Sequence, residues 1–305
     1  MAPELRVLVF VAAVAAVFAS AAFLLSARLW RRLRRLPATP WSIPNRVLVT
    51  LAAAGLLCVP YGFFVEPFWP QVTRVAIHSP KLGERPVRIV EISDLHCDER
   101  PRLEERLPAL IAAEKPDIIV FAGDAANSFE GIAVFRRLMK QLVAIAPTYV
   151  VRGNWDSPDR TASLFEGTGV RHLTGTPQRL DFGGSRIVLS GLDADSGASV
   201  EQAFLFIPKE EFRVFAHHFP DRIHEVSDDG VDLYLAGHTH GGQVALPLYG
   251  ALITFSRYDK QFESGLYRVG RTSMYVNRGI GMEGGRAPRV RFWARPEITV
   301  LDLLR

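Results

Sequence analysis

The sequence predicts an α/β domain built around a mainly parallel sheet, preceded by two apolar helices. Three observations lead there. Two long uncharged runs open the chain. Short β-branched runs then alternate with helical stretches, the pattern of βαβ units. Five of the apolar strands run directly into short loops that carry Asp, His or Asn.

The first uncharged run, Val7 to Ser26, has the ~20-residue length that a membrane helix needs, and the predicted helix covers residues 7–29. The second runs from Val47 to Val65, with the interfacial-type aromatics Phe68 and Trp69 just beyond it. Pro60 and Gly62 allow a kinked or half-inserted segment there as the alternative to a full span. Ala19-Ser20-Ala21 has the look of a signal-peptide cleavage site. Only Arg6 supplies charge ahead of the run, however, and the run continues to Ser26, so a retained span is the preferred reading.

Charge divides the chain in the same place. Residues 1–70, the expected membrane arm, hold seven arginines and two acids, whereas residues 71–305, the expected catalytic domain, hold 29 basic and 30 acidic residues. The pI near 9.2 therefore belongs to the arm. A nucleic-acid partner is not expected, because that would need basic residues clustered on the folded domain. Arg28 to Arg35 lie between the two apolar runs, and positive charge favours the cytoplasmic side, so two true spans leave the large domain facing outward. The two cysteines, Cys58 and Cys97, make no disulfide framework. Nothing in the sequence speaks to oligomeric state.

Past Trp69, strands are predicted at Val72–Ile77 and Val87–Ile92, then a helix over Leu103–Ala113 with Pro108 against its middle. Asp117–Phe121 is a fully apolar strand, Ile132–Ile145 an amphipathic helix and Thr148–Val151 the next strand. Later strands are predicted at Arg186–Ser190, Arg213–Ala216, Val231–Ala236, Ser273–Asn277 and Ile298–Leu303. More strand and less helix in the second half predicts a mixed, layered sandwich.

The chemistry lies in the loops at the strand ends. Asp94-Leu95-His96, Gly123-Asp124, Gly153-Asn154, His217-His218-Phe219-Pro220-Asp221 and Gly237-His238-Thr239-His240-Gly241-Gly242-Gln243 each come directly after an apolar strand. Loops at the carboxyl ends of α/β strands converge on one crevice. Glycine before Asp124, Asn154 and His238 lets the chain turn tightly. Singly each motif is a common turn; in ordered combination they form a metal-binding set, and carboxylate, imidazole and amide together suit Mn, Fe or Zn better than calcium.

This ordered set resembles the calcineurin-like metallophosphoesterases. Tyr275–Met282 (YVNRGIGM) and Arg295–Leu303 (RPEITVLDL) resemble a membrane-associated bacterial branch of the YkuE and YaeI type. The resemblance implies a four-layer αββα sandwich, a bacterial inner-membrane location and two divalent metal ions. It assigns Asp94, His96 and His240 to one metal and Asn154, His218 and His238 to the other, with Asp124 bridging. Asp124, Asn154 and His238 would also be the residues closest to the chemistry. The metals would lower the pKa of a water for in-line attack on phosphorus, and the sequence offers no nucleophilic signature such as GxSxG. His217 is the neighbouring alternative to His218.

One position departs from the family, whose motif usually continues Gly-Asn-His, the histidine being thought to protonate the leaving group. Here Trp155 follows Asn154, and an indole exchanges no proton near neutral pH. A leaving group that departs as an anion, such as the phosphate of a diphosphate, needs no acid. The expected substrate is therefore a phosphorylated, lipid-linked molecule, with UDP-2,3-diacylglucosamine, a lipid A precursor, as the specific candidate. That lipid is cytoplasmic while the arginine count turns the domain outward. An extracytoplasmic phospholipid or other phosphoester is thus the alternative, and an inactive metal-binding scaffold or a membrane adaptor the alternatives to an enzyme. His217, Gln243 and Arg278 are candidate substrate contacts, with structural hydrogen bonding the competing role for the last two. Asp156 either orients its neighbours or caps a following segment whose Pro158 suits a helix start. Cys97 is read as a packing residue.

Overall fold

The computed structural model describes residues 3–157, 164–284 and 288–305. Two compact units emerge, Met1–Val65 and Glu66–Arg305. The division falls before Glu66, earlier than the expected boundary after residue 70. Glu66 belongs to the second unit, where its buried carboxylate accepts the backbone N–H groups of Trp293 and Ala294 at 2.9 and 2.6 Å.

The first unit consists of α1 (Pro3–Leu33) and α2 (Ile43–Phe64), both long and apolar enough to cross a membrane. Arg31 and Arg32 occupy the last turn of α1, where cations complement the helix dipole. Ser42 caps α2 by accepting the N–H of Asn45. Pro60 lies inside α2 without ending it; the helix runs four residues further, to Phe64.

In the second unit the strands are β1 (Gln71–His78), β2 (Val87–Ile92), β3 (Ile118–Phe121), β4 (Thr148–Val150), β5 (Arg171–His172), β6 (Gln178–Asp181), β7 (Arg186–Leu192), β8 (Phe212–His217), β9 (Leu233–Ala236), β10 (Ala245–Leu246), β11 (Gly250–Ala251), β12 (Gly265–Val269), β13 (Thr272–Val276) and β14 (Glu297–Leu304). Two six-stranded sheets form, ordered β1-β14-β2-β3-β4-β5 and β12-β13-β9-β8-β7-β6, with β10-β11 as a separate ribbon. Within the first, β2 through β5 run parallel; within the second, β7, β8, β9 and β13 do, and β6 and β12 are antiparallel edges.

Side chains alternate across these strands, and the alternation makes the four layers. Val90, Ile92, Ile119 and Phe121 pack outward against α3 (Leu107–Ala113) and α4 (Phe129–Val143). Their neighbours Ile89, Ile118 and Val120 face inward against Leu189, Val214, Leu233 and Leu235 of the second sheet. Phe215, Tyr234 and Met274 then face the short helices Val200–Ala203 and Ile223–Asp229 on the far side. The expected αββα sandwich is what forms. Helix α3 starts at Leu107, later than the predicted Leu103, because Pro108 lies in its first turn, where its missing N–H costs nothing.

Glu91 breaks the apolar rule. By strand alternation it shares the inward face of β2 with Ile89, it is fully buried, and neither carboxylate oxygen has a hydrogen-bond partner. Burial first, then the charges of Glu297 and Asp94, push its pKa well above the ordinary glutamate range. The folded state therefore binds this proton more tightly than the unfolded chain. The resulting stability is complete below the unfolded pKa of about 4.3 and is lost as pH rises toward the folded value. Glu91→Gln, which cannot ionise, is expected to gain Tm relative to the natural chain as pH rises from about 5 to about 9. Parallel Tm curves would show that Glu91 is not held as a neutral acid.

Candidate metal centre

Every motif singled out in the sequence lies at the carboxyl end of a parallel strand. Asp94 and His96 follow β2, Asp124 follows β3, Asn154 follows β4, His218 follows β8, and His238 and His240 follow β9. The two sheets present these ends side by side. Backbone bonds knit the loops: Asp94 N–H donates to Gly123 O at 2.8 Å, His96 N–H to Asp124 O at 3.0 Å and Gly237 N–H to His218 O at 3.0 Å.

The loops are strained where they aim their side chains. Asp94, His96, Asp124, His238 and His240 all adopt left-handed backbone, with φ of 48, 40, 62, 71 and 52°. Such conformations cost about 1–3 kcal/mol each and persist where surrounding structure enforces them, typically at functional sites. The glycines act differently from the expectation of three tight turns. Gly123 alone of the three has positive φ, at +97°. Gly153 is required by close approach, since a Cβ there would sit 2.1 Å from Asp124 Oδ1, and at Gly237 one would sit 2.4 Å from Asp94 Oδ2.

Two clusters of donor atoms result, each with all its atoms within 4.8 Å of one another: Asp94, His96 and His240, and Asp94, Asp124 and His218. His240 Nε2 is 3.3 Å from Asp94 Oδ1, and His96 Nε2 is 3.2 Å from His240 Nε2. Asp124 Oδ2 lies 3.2 Å from His218 Nε2 and 3.5 Å from His96 Nε2, so its carboxylate also faces both groups. Asp94 is the residue common to both clusters, although the resemblance gave sharing to Asp124. Asn154 and His238 are the other two expected ligands. Asn154 is exposed, and His238, half-buried with its Nε2 3.3 Å from Phe255 O, lies in neither cluster. Both line the cavity above them, of about 170 Å³, with Asp124, Trp155, His240, Phe255 and Glu283.

The electrostatics are those of a cation site. Burial would raise Asp94, but His240, His218 and His96 outweigh it and hold the carboxyl far below its usual range. Asp124 is lowered in the same way, burial being overcome by His218 and His96. Against its own burial, His218 is raised to about 10 by Asp124 and Asp94. His96 and His238 are lowered by burial to about 4, leaving neutral imidazoles able to ligate. His218 Nε2 is buried yet makes no hydrogen bond despite its short distance to Asp124: the two point at a common space rather than at each other. A divalent ion satisfies that orphaned nitrogen and both carboxylates at once, so the donors present fit the expected metals.

A second ring of residues fixes the first. His96 Nδ1 pairs with Asn127 Oδ1 at 2.9 Å and His218 Nδ1 with Ala122 O at 2.8 Å, which leaves each Nε2 directed inward. Ser93 Oγ donates to Asp94 Oδ2 at 2.5 Å. Asp156 takes the orienting role: it accepts the N–H groups of Asp124, Gly153 and Ala125 at 2.8, 2.9 and 2.9 Å. A capped helix start at Pro158 lies outside the described residues. The three expected substrate contacts have other partners, and none lines the cavity. Arg278 bonds Glu297, Gln71 and Arg295 O. Gln243 bonds Pro288 O and the N–H of Glu283. His217 is buried against Phe219, and burial lowers it to about 3. Cys97 is buried within the apolar cluster beneath α4, as a packing residue. Asn127 and Glu283 have no motif or spacing that links them to the strand-end loops, and Ser93, next to Asp94, carries no ligand chemistry of its own to mark it.

Residues 87–242 match the model of the calcineurin-like phosphoesterase family. The chain is 32% identical to the metallophosphoesterase YkuE of Bacillus subtilis over 271 residues, covering 82% of this chain and 93% of that protein. It is 28% identical to the phosphodiesterase YaeI of Escherichia coli, covering 83% and 97%. Identity to LpxG of Chlamydia trachomatis, a UDP-2,3-diacylglucosamine pyrophosphatase, is 26%, covering 84% and 96%. The chain belongs to the calcineurin-like phosphoesterases, metal-dependent phosphoester hydrolases.

Proposed function

We propose that this calcineurin-like phosphoesterase holds two divalent ions of the Mn, Fe or Zn class and cleaves a phosphoester or diphosphate bond in a lipid-linked substrate. The observation that carries the reading is the pair of donor clusters, joined through Asp94 and faced by Asp124, on the floor of a cavity. Asp94, His96 and His240 would hold one ion; Asp124 and His218, completed by Asn154 and His238, would hold the other. When bound, the ions supply Lewis acidity that lowers the pKa of water and neutralises charge on phosphoryl oxygens.

The protein's own contribution is orientation. Asn127 and Ala122 O fix the two histidine tautomers, and Asp156 fixes the loop that presents Asp124. Trp155 and Phe255 line the cavity with aromatic rings. At about 170 Å³ the cavity is smaller than the roughly 300–1,000 Å³ of sites that enclose a drug-sized ligand, so a phosphoryl group enters while the rest of the substrate stays outside. Two helices long enough to span a membrane support an amphiphilic substrate. The likeness to LpxG supports UDP-2,3-diacylglucosamine as the specific candidate. The arginines between the two helices favour the second reading, a phosphodiesterase acting on an extracytoplasmic phospholipid. Reporter fusions after Val65 and at the C-terminus separate the two locations.

The test is a panel assay on the full-length protein in detergent with Mn²⁺, offering UDP-2,3-diacylglucosamine, phosphatidylglycerol and a simple alkyl phosphomonoester. Chelator-sensitive turnover is expected on the first or second, at least about tenfold above the monoester, which is 1.4 kcal/mol of transition-state preference. A preference for the monoester refutes the lipid-linked reading.

A further inference from the structure

The cavity above the two donor clusters carries a carboxyl group that neither cluster uses. Of its lining side chains, Asp124 and His240 belong to the clusters, while Asn154 and Phe255 exchange no proton near neutral pH. His238 is assigned above to the second ion. The indole of Trp155 is only a donor. Glu283 remains: it lines the same cavity as Trp155 and lies in neither cluster.

Its backbone is fixed from two directions. Glu283 N–H donates to Gln243 Oε1 at 2.9 Å, and Gln243 is itself anchored on Pro288 O at 2.7 Å. On either side, Met282 O accepts from Asn127 Nδ2 at 3.1 Å and Gly284 N–H donates to Asn127 Oδ1 at 3.0 Å. Asn127 is also the residue that fixes the His96 ring. The strap carrying Glu283 is thus clipped to the loop after β3 and the loop after β9, two of the loops that form the metal centre.

We infer that Glu283 is the general acid of this enzyme, donating its proton to the leaving oxygen. The inference rests on the hydrolase reading above and deepens it by naming the substrate class. Water adds to phosphorus, the bond from phosphorus to the leaving oxygen breaks, and that oxygen takes the Glu283 proton and departs as an alcohol. The proton released by the attacking water returns to solvent, from which Glu283 is reprotonated. Esters with basic, alkoxide-type leaving groups then become substrates, alongside diphosphates that need no acid. The surroundings agree: burial is the first cause that raises the Glu283 pKa.

The experiment compares the full-length Mn²⁺-loaded protein with Glu283→Gln and Glu283→Asp on phosphodiesters that differ only in leaving group. General-acid catalysis contributes about 10²–10⁴-fold. Glu283→Gln is therefore expected to lose on the order of 10²-fold or more with an alkyl leaving group and to change little with 4-nitrophenolate, while Glu283→Asp recovers part of the loss. Bound metal should be unchanged in Glu283→Gln. The pH dependence of Trp155 emission, isolated by difference from Trp155→Phe, should disappear. Equal loss across all leaving groups, lost metal, or an unchanged emission titration overturns the inference. Failure of the unsubstituted protein to cleave any of these esters would instead remove the hydrolase reading on which it stands.

Discussion

Asp124→Ala is expected to yield a folded protein that has lost at least one bound metal and about 10³-fold or more of its turnover. The magnitude comes from the several kcal/mol that metal ions contribute to phosphoryl-transfer transition states, at 1.36 kcal/mol per factor of ten. The geometry says why this residue matters more than its neighbours. Its Oδ2 faces His218 Nε2 at 3.2 Å and His96 Nε2 at 3.5 Å, so one carboxylate faces a member of each cluster. Without it, the carboxylate left paired with His218 among the described residues is Asp94, at 4.0 Å. The backbone at this position stays held, because its N–H donates to Asp156 and its carbonyl accepts from His96. Loss of function should therefore occur without loss of fold, read by metal analysis and circular dichroism on the same sample. A variant that keeps both metals and its turnover would show that the two clusters are not a catalytic centre.

The alternation of apolar residues made the sheet layers legible, because one strand such as Val87–Ile92 must bury both faces. The strand-end position of Asp94, His96, Asp124, His218 and His240 was legible too, since glycine, a short loop and a ligating side chain recur together. What the sequence hid is the second ring. Asn127 reaches His96 across 31 residues, and Gln243 reaches Glu283 across 40. Such pairs have no local signature. Arg278 misled for the same reason: an arginine near a phosphate site reads as a substrate contact until Glu297 is seen to take its guanidinium at 3.0 Å. The reason for the glycines was also hidden. Gly153 stands where the Asp124 loop of its own sheet, and Gly237 where the Asp94 loop of the other sheet, would come within 2.4 Å of a Cβ, distances that exist only once strands have paired and sheets have docked.

Asp156→Ala is the other substitution expected to have a large effect, here on stability as well as metal affinity. Its carboxylate, 1% exposed, accepts three backbone N–H groups that serve no other purpose. An unsatisfied buried donor costs about 1–3 kcal/mol, so removing the acceptor of three costs several kcal/mol even where one relaxes toward water. An opposing effect exists. Burial and the neighbouring Asp124 raise Asp156 to about 7, so part of its charge is unfavourable and its removal relieves some repulsion. The hydrogen bonds should outweigh this, because three are lost against one carboxylate neighbour, and metal ions would offset that repulsion further. Asp156→Asn separates the two effects. It removes the charge, keeps one oxygen for the N–H groups of Asp124 and Gly153, and turns an amide N–H against that of Ala125. Stability intermediate between the natural chain and Asp156→Ala is expected, together with metal affinity weakened by roughly 10–100-fold, the usual effect of disturbing groups that orient ligands. If Asp156→Asn is instead more stable than the natural chain, repulsion from Asp124 dominates at this position and the backbone of the Asp124 loop is held by something other than this carboxylate.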